Sequence, residues 1–279
     1  ANDEISLNGN ASIVGPVNTN STETGSISLG SNTGIDGDVN VGPGGDPQNV
    51  ISDYDKVIDQ ITGEVGSLSE SYSTPLPVFP EFPALAPGDL SDNRINADGS
   101  YDTINVKKGD TLTINVGSGT RRIRVIKSLS VDGEIILEGT GKLEFYIDKE
   151  FTIDGGINVG DNPSRLLLYY KGKDDIQDDI QFTGNASFSG SIYAKKASFS
   201  IGGSGKIAGN FVTGSDGEVK IAGNAWEYGV LYAPNATVKL TGDASLEGTI
   251  VANELNIRGA TGGNNNEGSK LTFNAELVN

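Results

Sequence analysis

A short motif returns at a nearly fixed spacing, and this repeat constrains the fold more than any other feature of the chain. The glycines that close each copy are Gly190, Gly209, Gly229 and Gly248, at separations of 19, 20 and 19 residues. After each glycine come a short apolar strand, a turn of small residues and a second strand. A unit of about 20 residues cannot bury a core of its own, so neighbouring units must stack on one another.

The stacking rule leads to a specific architecture. Short strands separated by bends let each unit make one lap around a small prism, and successive laps then pair in parallel with alternate residues pointing inward. Crossovers between parallel strands are almost always right-handed. The sequence therefore predicts an all-β fold, a right-handed parallel β-helix (β-solenoid) with laps of about 19–20 residues. Residues 91–279 would hold roughly nine such laps.

The repeated motif has two interpretations. It reads NGNAS at 8–12 and returns as TGNAS at 183–187, AGNAW at 222–226 and TGDAS at 241–245. Two of the four copies fail the Asn-x-Ser/Thr pattern of a glycosylation acceptor, whereas all four suit a corner of a lap. We therefore interpret the motif as a corner, in which Gly supplies the unusual backbone angles and Asn or Asp tolerates left-handed ones. Glycosylation stays open at the asparagines that match the acceptor pattern, which are Asn10, Asn20, Asn185 and Asn235.

Four regions differ in pattern. Residues 1–45 carry short β-type clusters and are expected to form about two laps, stacked on the main solenoid or docked beside it. Residues 46–73 are expected to form one amphipathic α-helix that packs on the solenoid or caps it. Residues 74–90 are a Pro-rich connector, and residues 91–279 are the main solenoid. An end cap is needed because an open end exposes the apolar core and unpaired strand edges.

The predicted helix rests on the spacing of its apolar residues. These recur every three or four positions from Val50 to Leu68, which is typical of one face of an α-helix. Asp46 followed by Pro47 is a typical helix start. A coiled-coil partner is the alternative, but packing on the body of the same protein is the simpler use of such a stripe.

The Pro-rich region reads TPLPVFPEFPALAPGDL, and it can be neither a helix nor a central strand. Pro-rich segments are sometimes ligands of aromatic grooves. We favour a stiff connector whose apolar residues pack along the body of the protein, namely Val78, Phe79, Phe82 and Leu85.

Composition excludes several kinds of chemistry. The 279 residues include no Cys and no His, so thiol nucleophiles, imidazole catalysis and His metal sites are absent. The net charge is −17, which makes nucleic acid an unfavourable partner. No apolar run is long enough for a transmembrane helix in this segment, and any export signal is expected upstream of Ala1.

Carboxylates are the remaining candidates for catalysis. Some β-solenoid enzymes act on polysaccharides, and a pair of carboxylates can hydrolyse a glycosidic bond. Glu144 with Asp148, or Asp132 with Glu134, are nominal pairs of this kind. Their spacing suits solvated, outward-facing strand positions equally well, and we expect no catalytic residue and no enzyme activity.

Other polar and aromatic clusters are also ambiguous. The acidic run at 171–179 could bind Ca²⁺ through its aspartates, but it lacks a recognised calcium-loop pattern, and we expect no metal or cofactor site. Trp226, beside Tyr228, could stack on a sugar ring, but its position in the repeat predicts a core residue. Arg121, Arg122 and Arg124 are expected to pair with nearby acids. In the acidic run at 171–179, the aspartates considered as Ca²⁺ ligands are Asp174, Asp175, Asp178 and Asp179.

Several phrases of the chain carry a family resemblance. FTGNASFSGSIYA, LYAPNATVKLTGDASLEGTIVA and GTGKLEFYIDKEFTIDGG resemble the C-terminal β-solenoid domain of PilX-like, type IV pilin-related exported proteins of Gram-positive bacteria. The phrases ISLNGNASIVGPV and PLPVFPEFP resemble the layout of the same group. Such proteins begin with a pilin-like hydrophobic helix, which this sequence lacks. Bactofilins, which are polymerising cytoskeletal solenoids, are more distantly similar in their lap pattern.

The resemblance implies a surface location and an association with pili or the cell envelope, and it supplies no catalytic residue. The leading hypothesis is a non-enzymatic, extracellular, pilus-associated or cell-surface protein with a structural or adhesive role. The alternative is a solenoid that binds, or less readily cleaves, extracellular polysaccharide. A third hypothesis is a subunit that self-assembles through the solenoid ends. Expected partners are pilus or cell-envelope components, with polysaccharide as a further candidate, and no nucleic acid.

Overall fold

A computed structural model describes residues 1–90, 92–173, 178–182, 184–203, 205–223, 226–259 and 269–272, with the backbone alone at 226 and 227. The chain is mostly β, at 53%, and winds as a β-solenoid of about 11 turns counted over two compact units. This confirms the predicted fold class. The units do not follow the four sequence regions, because the C-terminal laps group with the N-terminal ones. Unit 1 comprises Ala1–Leu76 and Asp216–Asn279, and unit 2 comprises Pro77–Ser215.

The elements are short throughout. The N-terminal part of unit 1 contains β1 (Ile5–Asn8), β2 (Ser12–Val14), β3 (Val17–Asn18), β4 (Ile27–Leu29), β5 (Gly34–Asp36), β6 (Val39–Val41), α1 (Pro47–Val50), α2 (Tyr54–Val57) and β7 (Val65–Ser67). Unit 2 contains β8 (Arg94–Ile95), β9 (Gly99–Val106), β10 (Thr111–Gly117), β11 (Thr120–Val131), β12 (Glu134–Gly139), β13 (Lys142–Ile147), β14 (Glu150–Ile153), β15 (Gly156–Ile157), β16 (Leu166–Tyr170), β17 (Asp179–Phe182), β18 (Ser187–Ser189), β19 (Ser191–Ala194), β20 (Ser198–Ile201), β21 (Ile207–Ala208) and β22 (Phe211–Thr213). The C-terminal part of unit 1 contains β23 (Glu218–Ala222), β24 (Trp226–Gly242), β25 (Ser245–Gly259) and β26 (Lys270–Thr272).

Unit 2 is a three-faced stack in which every described strand pairing is parallel. On each face the inward residues of a lap lie above their counterparts in the previous lap, so that buried apolar rows run through the laps. The row on the first face is Ile123, Phe145, Leu168, Ile192 and Phe211. The row on the second face is Val106, Val131, Ile153, Phe182 and Ile201. The row on the third face is Leu112, Ile135, Ile157, Phe188 and Ile207.

Phenylalanines fill the later laps of unit 2. Phe182, Phe188, Phe199 and Phe211 are all at most 1% exposed, and neighbouring ring centroids lie 5.0–5.9 Å apart. Burying one such side chain contributes about 1.5–3 kcal/mol. With no disulfide available, this aromatic packing is a main source of stability for these laps.

In unit 1 the N-terminal laps stack directly on the C-terminal ones. Ile5 of β1 pairs with Leu255 of β25 on one side and with Ile27 of β4 on the other. Residues 1–45 thus form two laps, and these are stacked on the solenoid of unit 1 instead of lying beside it. Ile51 continues the same row through an isolated bridge to Ile27.

The predicted continuous helix over 46–73 is wrong. Its start is confirmed, because the Asp46 side chain accepts a hydrogen bond from the Gln48 amide and Pro47 occupies the first turn. Asp53 then takes a left-handed backbone (φ 52°) that separates α1 from α2. After α2 a 3₁₀ turn at Ile58–Gln60 follows, which gives seven consecutive helical residues, and Val65–Ser67 is a strand.

A further lap replaces the helix for a physical reason. The lap beneath this segment contains Ile27 and Ile35. Ile51 and Ile61 lie over these two residues and form parallel bridges with them. Both isoleucines are at most 8% exposed. Their burial in register outweighs helix propensity, which is a weak preference over a segment of this length. The segment nevertheless covers the previous lap, because it pairs in turn with β4, β5 and β6.

Lap length is not uniform. The 19-residue period is confirmed where the repeat is legible, as between Gly229 and Gly248, which are paired in register. It is wrong for most other laps, because Ile147 pairs with Val125, 22 residues earlier, and Tyr170 pairs with Ile147, 23 residues earlier. The extra residues lie in corners, where they do not disturb the buried rows.

The motif glycine has the same left-handed backbone in each copy. The φ angles of Gly9, Gly184, Gly223 and Gly242 are 68°, 63°, 70° and 74°. The following alanines are buried where they are described, which confirms the corner interpretation. Glycine supplies the left-handed angles, as predicted. The explanation of the following Asn or Asp by its tolerance of such angles is wrong, because Asn10, Asn185 and Asp243 do not have a positive φ. The buried alanines are Ala11, Ala186 and Ala244. In the copy at 222–226, Asn224 and Ala225 lie outside the described residues.

Candidate functional site

The first predicted carboxylate pair is held by arginines. Glu144 accepts hydrogen bonds from Arg122 Nε (3.0 Å) and from the Tyr146 hydroxyl (2.8 Å). Asp148 accepts from Arg124 Nε (2.9 Å) and Nη2 (3.3 Å). Each arginine belongs to the lap that precedes its partner. The two carboxylates therefore tie neighbouring laps together.

The expected pairing of the arginine cluster is confirmed. Besides these two bonds, Arg121 Nη1 lies 2.9 Å from Asp98 Oδ1. The exposed fraction of the Arg124–Asp148 pair is the lowest of the three, at 28% and 12% for the two side chains. Removal of one partner from such a pair is costly, because the other charge stays in a partly buried position.

The second carboxylate pair lines a shallow groove on unit 2. Asp132 and Glu134 border a space of about 740 Å³ together with Asp110 and Asp154. All four side chains are exposed, and within the described residues none has a side-chain hydrogen bond or ion pair. At the corner that borders the groove, successive laps are joined by a backbone hydrogen bond, which the Gly156 amide donates to the Gly133 carbonyl at 2.8 Å. The groove lining also includes side chains that can donate hydrogen bonds, namely Lys108, Thr111, Asn185 and Ser187.

The structure does not bring together a metal site in the part of the chain that it describes, where no group of three or more acidic residues could hold an ion. Residues 174–177 of the acidic run lie outside the described residues. Asp178 accepts a hydrogen bond from the buried Tyr170 hydroxyl at 2.6 Å, which is a structural role. The side chain of Trp226 is likewise outside the description, and Tyr228 is 36% exposed.

The four glycosylation acceptor asparagines differ in environment. Asn20 is engaged, because its amide nitrogen donates to the Tyr72 carbonyl at 2.9 Å and its amide oxygen accepts from the Tyr72 amide at 2.8 Å. Asn185 and Asn235 are exposed, and Asn10 is half-buried.

Three tyrosines form an outward-facing row on the first face of unit 2. Tyr146 pairs with Tyr169, and Tyr169 pairs with Tyr193, each one lap apart. They alternate with inward residues such as Phe145 and therefore point away from the core. Tyr146 and Tyr193 are nonetheless only 7% and 8% exposed. Another segment must cover this aromatic row.

The covering segment is the Pro-rich connector, whose residues 77–88 we call the strap. Phe79 meets Tyr193 edge-on with ring centroids 5.1 Å apart, and Phe82 meets Tyr146 in the same way at 5.2 Å. The Tyr193 hydroxyl donates to the carbonyl of Pro77. Val78 is 94% exposed, so its expected packing is wrong, whereas Phe79, Phe82 and Leu85 are half-buried as expected.

Two further anchors hold the strap. Arg124 Nη1 donates to the Pro83 carbonyl at 3.1 Å, and its guanidinium lies 5.8 Å from the centre of the Phe82 ring. Ser100 exchanges backbone hydrogen bonds with the strap, accepting from the Gly88 amide and donating to the Ala86 carbonyl, both at 2.8 Å. The strap thus ends as a short parallel edge beside β9, the first long strand of unit 2.

The strap and the laps have matching periods. Successive contact residues of the strap are three positions apart in sequence. Phe79 contacts Tyr193, Phe82 contacts Tyr146, and Leu85 contacts Ser100. Each of these solenoid residues lies two laps from the next one. Three residues of a polyproline-type chain span about 9.3 Å. Two laps span about 9.6 Å. The near equality of these lengths lets every third strap residue meet the solenoid at an equivalent place.

Four tyrosines of unit 2 have pKa values above that of a solvated tyrosine. Burial raises the pKa of Tyr146 and of Tyr170, and hydrogen bonds to Glu144 and Asp178 raise them further. Burial also raises the pKa of Tyr169 and Tyr193. These phenols therefore stay neutral where a solvated tyrosine would ionise.

Sequence reasoning missed the aromatic row, although a signal was present. The phrases FYID, LYYK and IYAK each place a tyrosine before the last residue of a strand, at 146, 169 and 193. Their separations are 23 and 24 residues, which differ from the 19–20-residue period of the repeated motif. The three tyrosines align with one another only if the corners are allowed to vary in length.

Taken together, fold and surface define a β-solenoid protein whose outward aromatic row is covered by its own Pro-rich segment. The chain belongs to the family described as a domain of unknown function (DUF7305), whose family model matches residues 42–216. No curated protein and no solved structure matches the chain. Within the described residues, no helix is both long and apolar enough to cross a membrane.

Proposed function

We propose that the chain is a non-enzymatic structural protein of the cell surface, associated with pili or other envelope components. The observation that carries the proposal is that several charged surface side chains bind one another across laps. The Arg122–Glu144 and Arg124–Asp148 pairs join adjacent laps, and the strap ties several laps together along one face. Such cross-lap ties suit a protein that bears load or spans distance.

The surface location is supported by the resemblance of its repeat segments to PilX-like exported proteins. Antibody labelling of intact cells of the source organism tests it directly. We expect labelling without permeabilisation and recovery of the protein in the envelope fraction. Recovery in the cytosolic fraction alone would overturn this location.

The enzymatic alternative has a direct test at the groove. We expect no release of reducing ends when the purified chain is incubated with a panel of polysaccharides. Release that is abolished by Asp132→Asn or Glu134→Gln would replace the structural proposal with a hydrolase.

Self-assembly is a further candidate, because β9 is an edge strand of unit 2. Its residues 103–106 pair only with β11 among the described residues, while Ser100 of the same strand is paired with the strap. The strap therefore protects part of this edge. We expect a monomer in sedimentation experiments with the intact chain, and filaments in electron micrographs would favour the assembling subunit instead.

A further inference from the structure

A cavity of about 320 Å³ lies between the strap and the first face of unit 2. Its lining includes the rings of Phe79 and Phe82 and the side chains of Lys171 and Lys195. The volume falls within the range of about 300–1,000 Å³ that is usual for small-ligand clefts. The cavity combines aromatic walls with cations, whereas the chain as a whole carries a net charge of −17.

The two lysines occupy the same corner in successive laps. The Lys171 amide donates to the Ile147 carbonyl, and the Lys195 amide donates to the Tyr170 carbonyl, both at 2.9 Å. Their side chains therefore start about one lap, or ~4.8 Å, apart. Neither ammonium group has an acidic partner among the described residues. Like charges at adjacent positions of a sheet repel each other, and a bound anion would remove that cost.

The other charged groups around the cavity do not supply this anion. Asp148 occupies the corner one lap earlier, but Arg124 holds both of its carboxylate oxygens. Glu81 of the strap also lines the cavity and is exposed, without an ion pair. The Lys195 ammonium lies over the Phe79 ring, 6.0 Å from its centre, so the cation and the aromatic ring line the cavity together.

We propose that this cavity binds an acidic sugar residue. Its carboxylate or phosphate group would lie between Lys171 and Lys195, and the C–H face of its ring would pack against Phe79. Charge-assisted hydrogen bonds to two ammonium groups supply the affinity, and the aromatic wall selects a ring-bearing anion over a bare ion. The proposal does not depend on a surface location or on a pilus.

Titration calorimetry with the intact chain tests the site. The probes are an oligogalacturonate, which carries carboxylates, a phosphorylated galactose oligomer and a neutral galactose oligomer. We expect at least one of the two anionic probes to bind, and the one that binds identifies the anionic group. The neutral oligomer should not bind. Equal binding of the neutral oligomer, or no binding of either anionic probe, would overturn the proposal.

Variants locate the binding. The double variant Lys171→Gln/Lys195→Gln should weaken binding of the anionic probe by about tenfold or more. The matched control Lys107→Gln/Lys108→Gln removes two exposed lysines from another corner of unit 2 and should leave binding unchanged. An equal loss in both double variants would indicate nonspecific attraction and contradict the site.

Two single variants separate this site from a structural role of the lysines. Glu81→Gln removes a carboxylate from the cavity and should strengthen binding by about twofold. Phe79→Leu keeps an apolar side chain but removes the ring, and it should weaken binding of the anionic sugar probe. Inorganic phosphate, titrated as an additional probe, should give the same result with the parent chain and the variant. If neither variant alters binding, the anion does not lie in this cavity.

Discussion

Tyr193 fixes the strap at two points, since its ring meets Phe79 edge-on at 5.1 Å while its hydroxyl donates to the carbonyl of Pro77. One outward tyrosine thereby provides both an apolar contact and a polar contact to a segment that can offer few amide donors. The strap's prolines remove N–H groups, so side chains of the solenoid must supply most of its hydrogen bonds.

Removal of the Phe79 ring should loosen the strap without unfolding the laps. Phe79→Ala deletes two edge-on aromatic contacts, to Tyr193 and Tyr169, of a half-buried side chain. We expect local opening of residues 77–85 to become easier by about 1–2 kcal/mol. Proteolytic cleavage within this segment, followed by mass spectrometry, should speed up about 5–30-fold.

The control for this variant is Val78→Ala. Val78 is 94% exposed, so its truncation should leave proteolytic cleavage of the strap unchanged. Equal acceleration in both variants would show that the aromatic contacts do not hold the strap.

Arg124 should be more important for stability than other paired cations on the surface. Arg124→Ala leaves Asp148, whose side chain is 12% exposed, without its cation, and it also removes the bond to Pro83. We expect a loss of about 1–3 kcal/mol in urea unfolding. Lys127→Ala, which breaks the exposed pair with Asp102, should cost less than about 0.5 kcal/mol. Similar midpoints for both variants would contradict the special role of Arg124.

The corner glycine Gly155 should not tolerate a methyl group. A Cβ atom at this position would lie 1.9 Å from the carbonyl oxygen of Gly133 in the previous lap. Gly155→Ala must therefore push two laps apart, at a cost of about 2–3 kcal/mol in urea unfolding. Gly119→Ala is the matched control, because nothing lies within 4 Å of its added Cβ, and it should stay within about 0.5 kcal/mol. A normal midpoint for Gly155→Ala would show that the corner has room to adjust.

Alkaline pH should destabilise the fold through its buried phenols. The pKa of Tyr170 is raised in the folded state by burial and by its hydrogen bond to Asp178. An unfolded tyrosine ionises near pH 10, at about its ordinary pKa. The stabilising contribution is therefore complete below about pH 10 and is lost as the pH rises above it, because the unfolded state then releases the proton first.

Thermal unfolding at pH 8 and pH 11 measures this effect. We expect the parent chain to lose more stability between these pH values than Tyr170→Phe does, although the variant starts lower at pH 8 because it lacks the bond to Asp178. Absorbance at 295 nm should show delayed ionisation of the tyrosines with raised pKa, which are Tyr101, Tyr146, Tyr169, Tyr170, Tyr193 and Tyr232. An equal alkaline loss in parent and variant would remove Tyr170 as the cause.

Local repetition made the solenoid predictable. The 19-residue spacing of Gly229 and Gly248 is an exact register in the structure, and the motif glycines share one backbone conformation. The ion pairs of Arg122 and Arg124 were also foreseeable, because opposite charges on outward positions of neighbouring laps pair readily. The length of the other laps could not be predicted from the repeat, because corners vary in length without altering the buried rows.

The helix over 46–73 shows where local pattern misleads. Apolar residues three and four apart suit a helix, but the same residues also suit a lap with bends, and only the laps beneath select between these forms. Ile51 and Ile61 are placed by Ile27 and Ile35, which the linear sequence does not identify as their neighbours. The grouping of residues 1–76 with the C-terminal laps is likewise a long-range outcome.

The sequence by itself determined that the chain stacks short parallel strands around an apolar core, because a periodic pattern of glycine and apolar residues admits few other solutions. It also determined the absence of thiol and imidazole chemistry. Only the tertiary structure decided that the strap covers the tyrosine row, that Arg124 serves Asp148 and Pro83 together, and that Lys171 and Lys195 share one cavity. These relations join residues more than twenty positions apart, and their geometry follows from lap register and corner length, which local propensity does not encode.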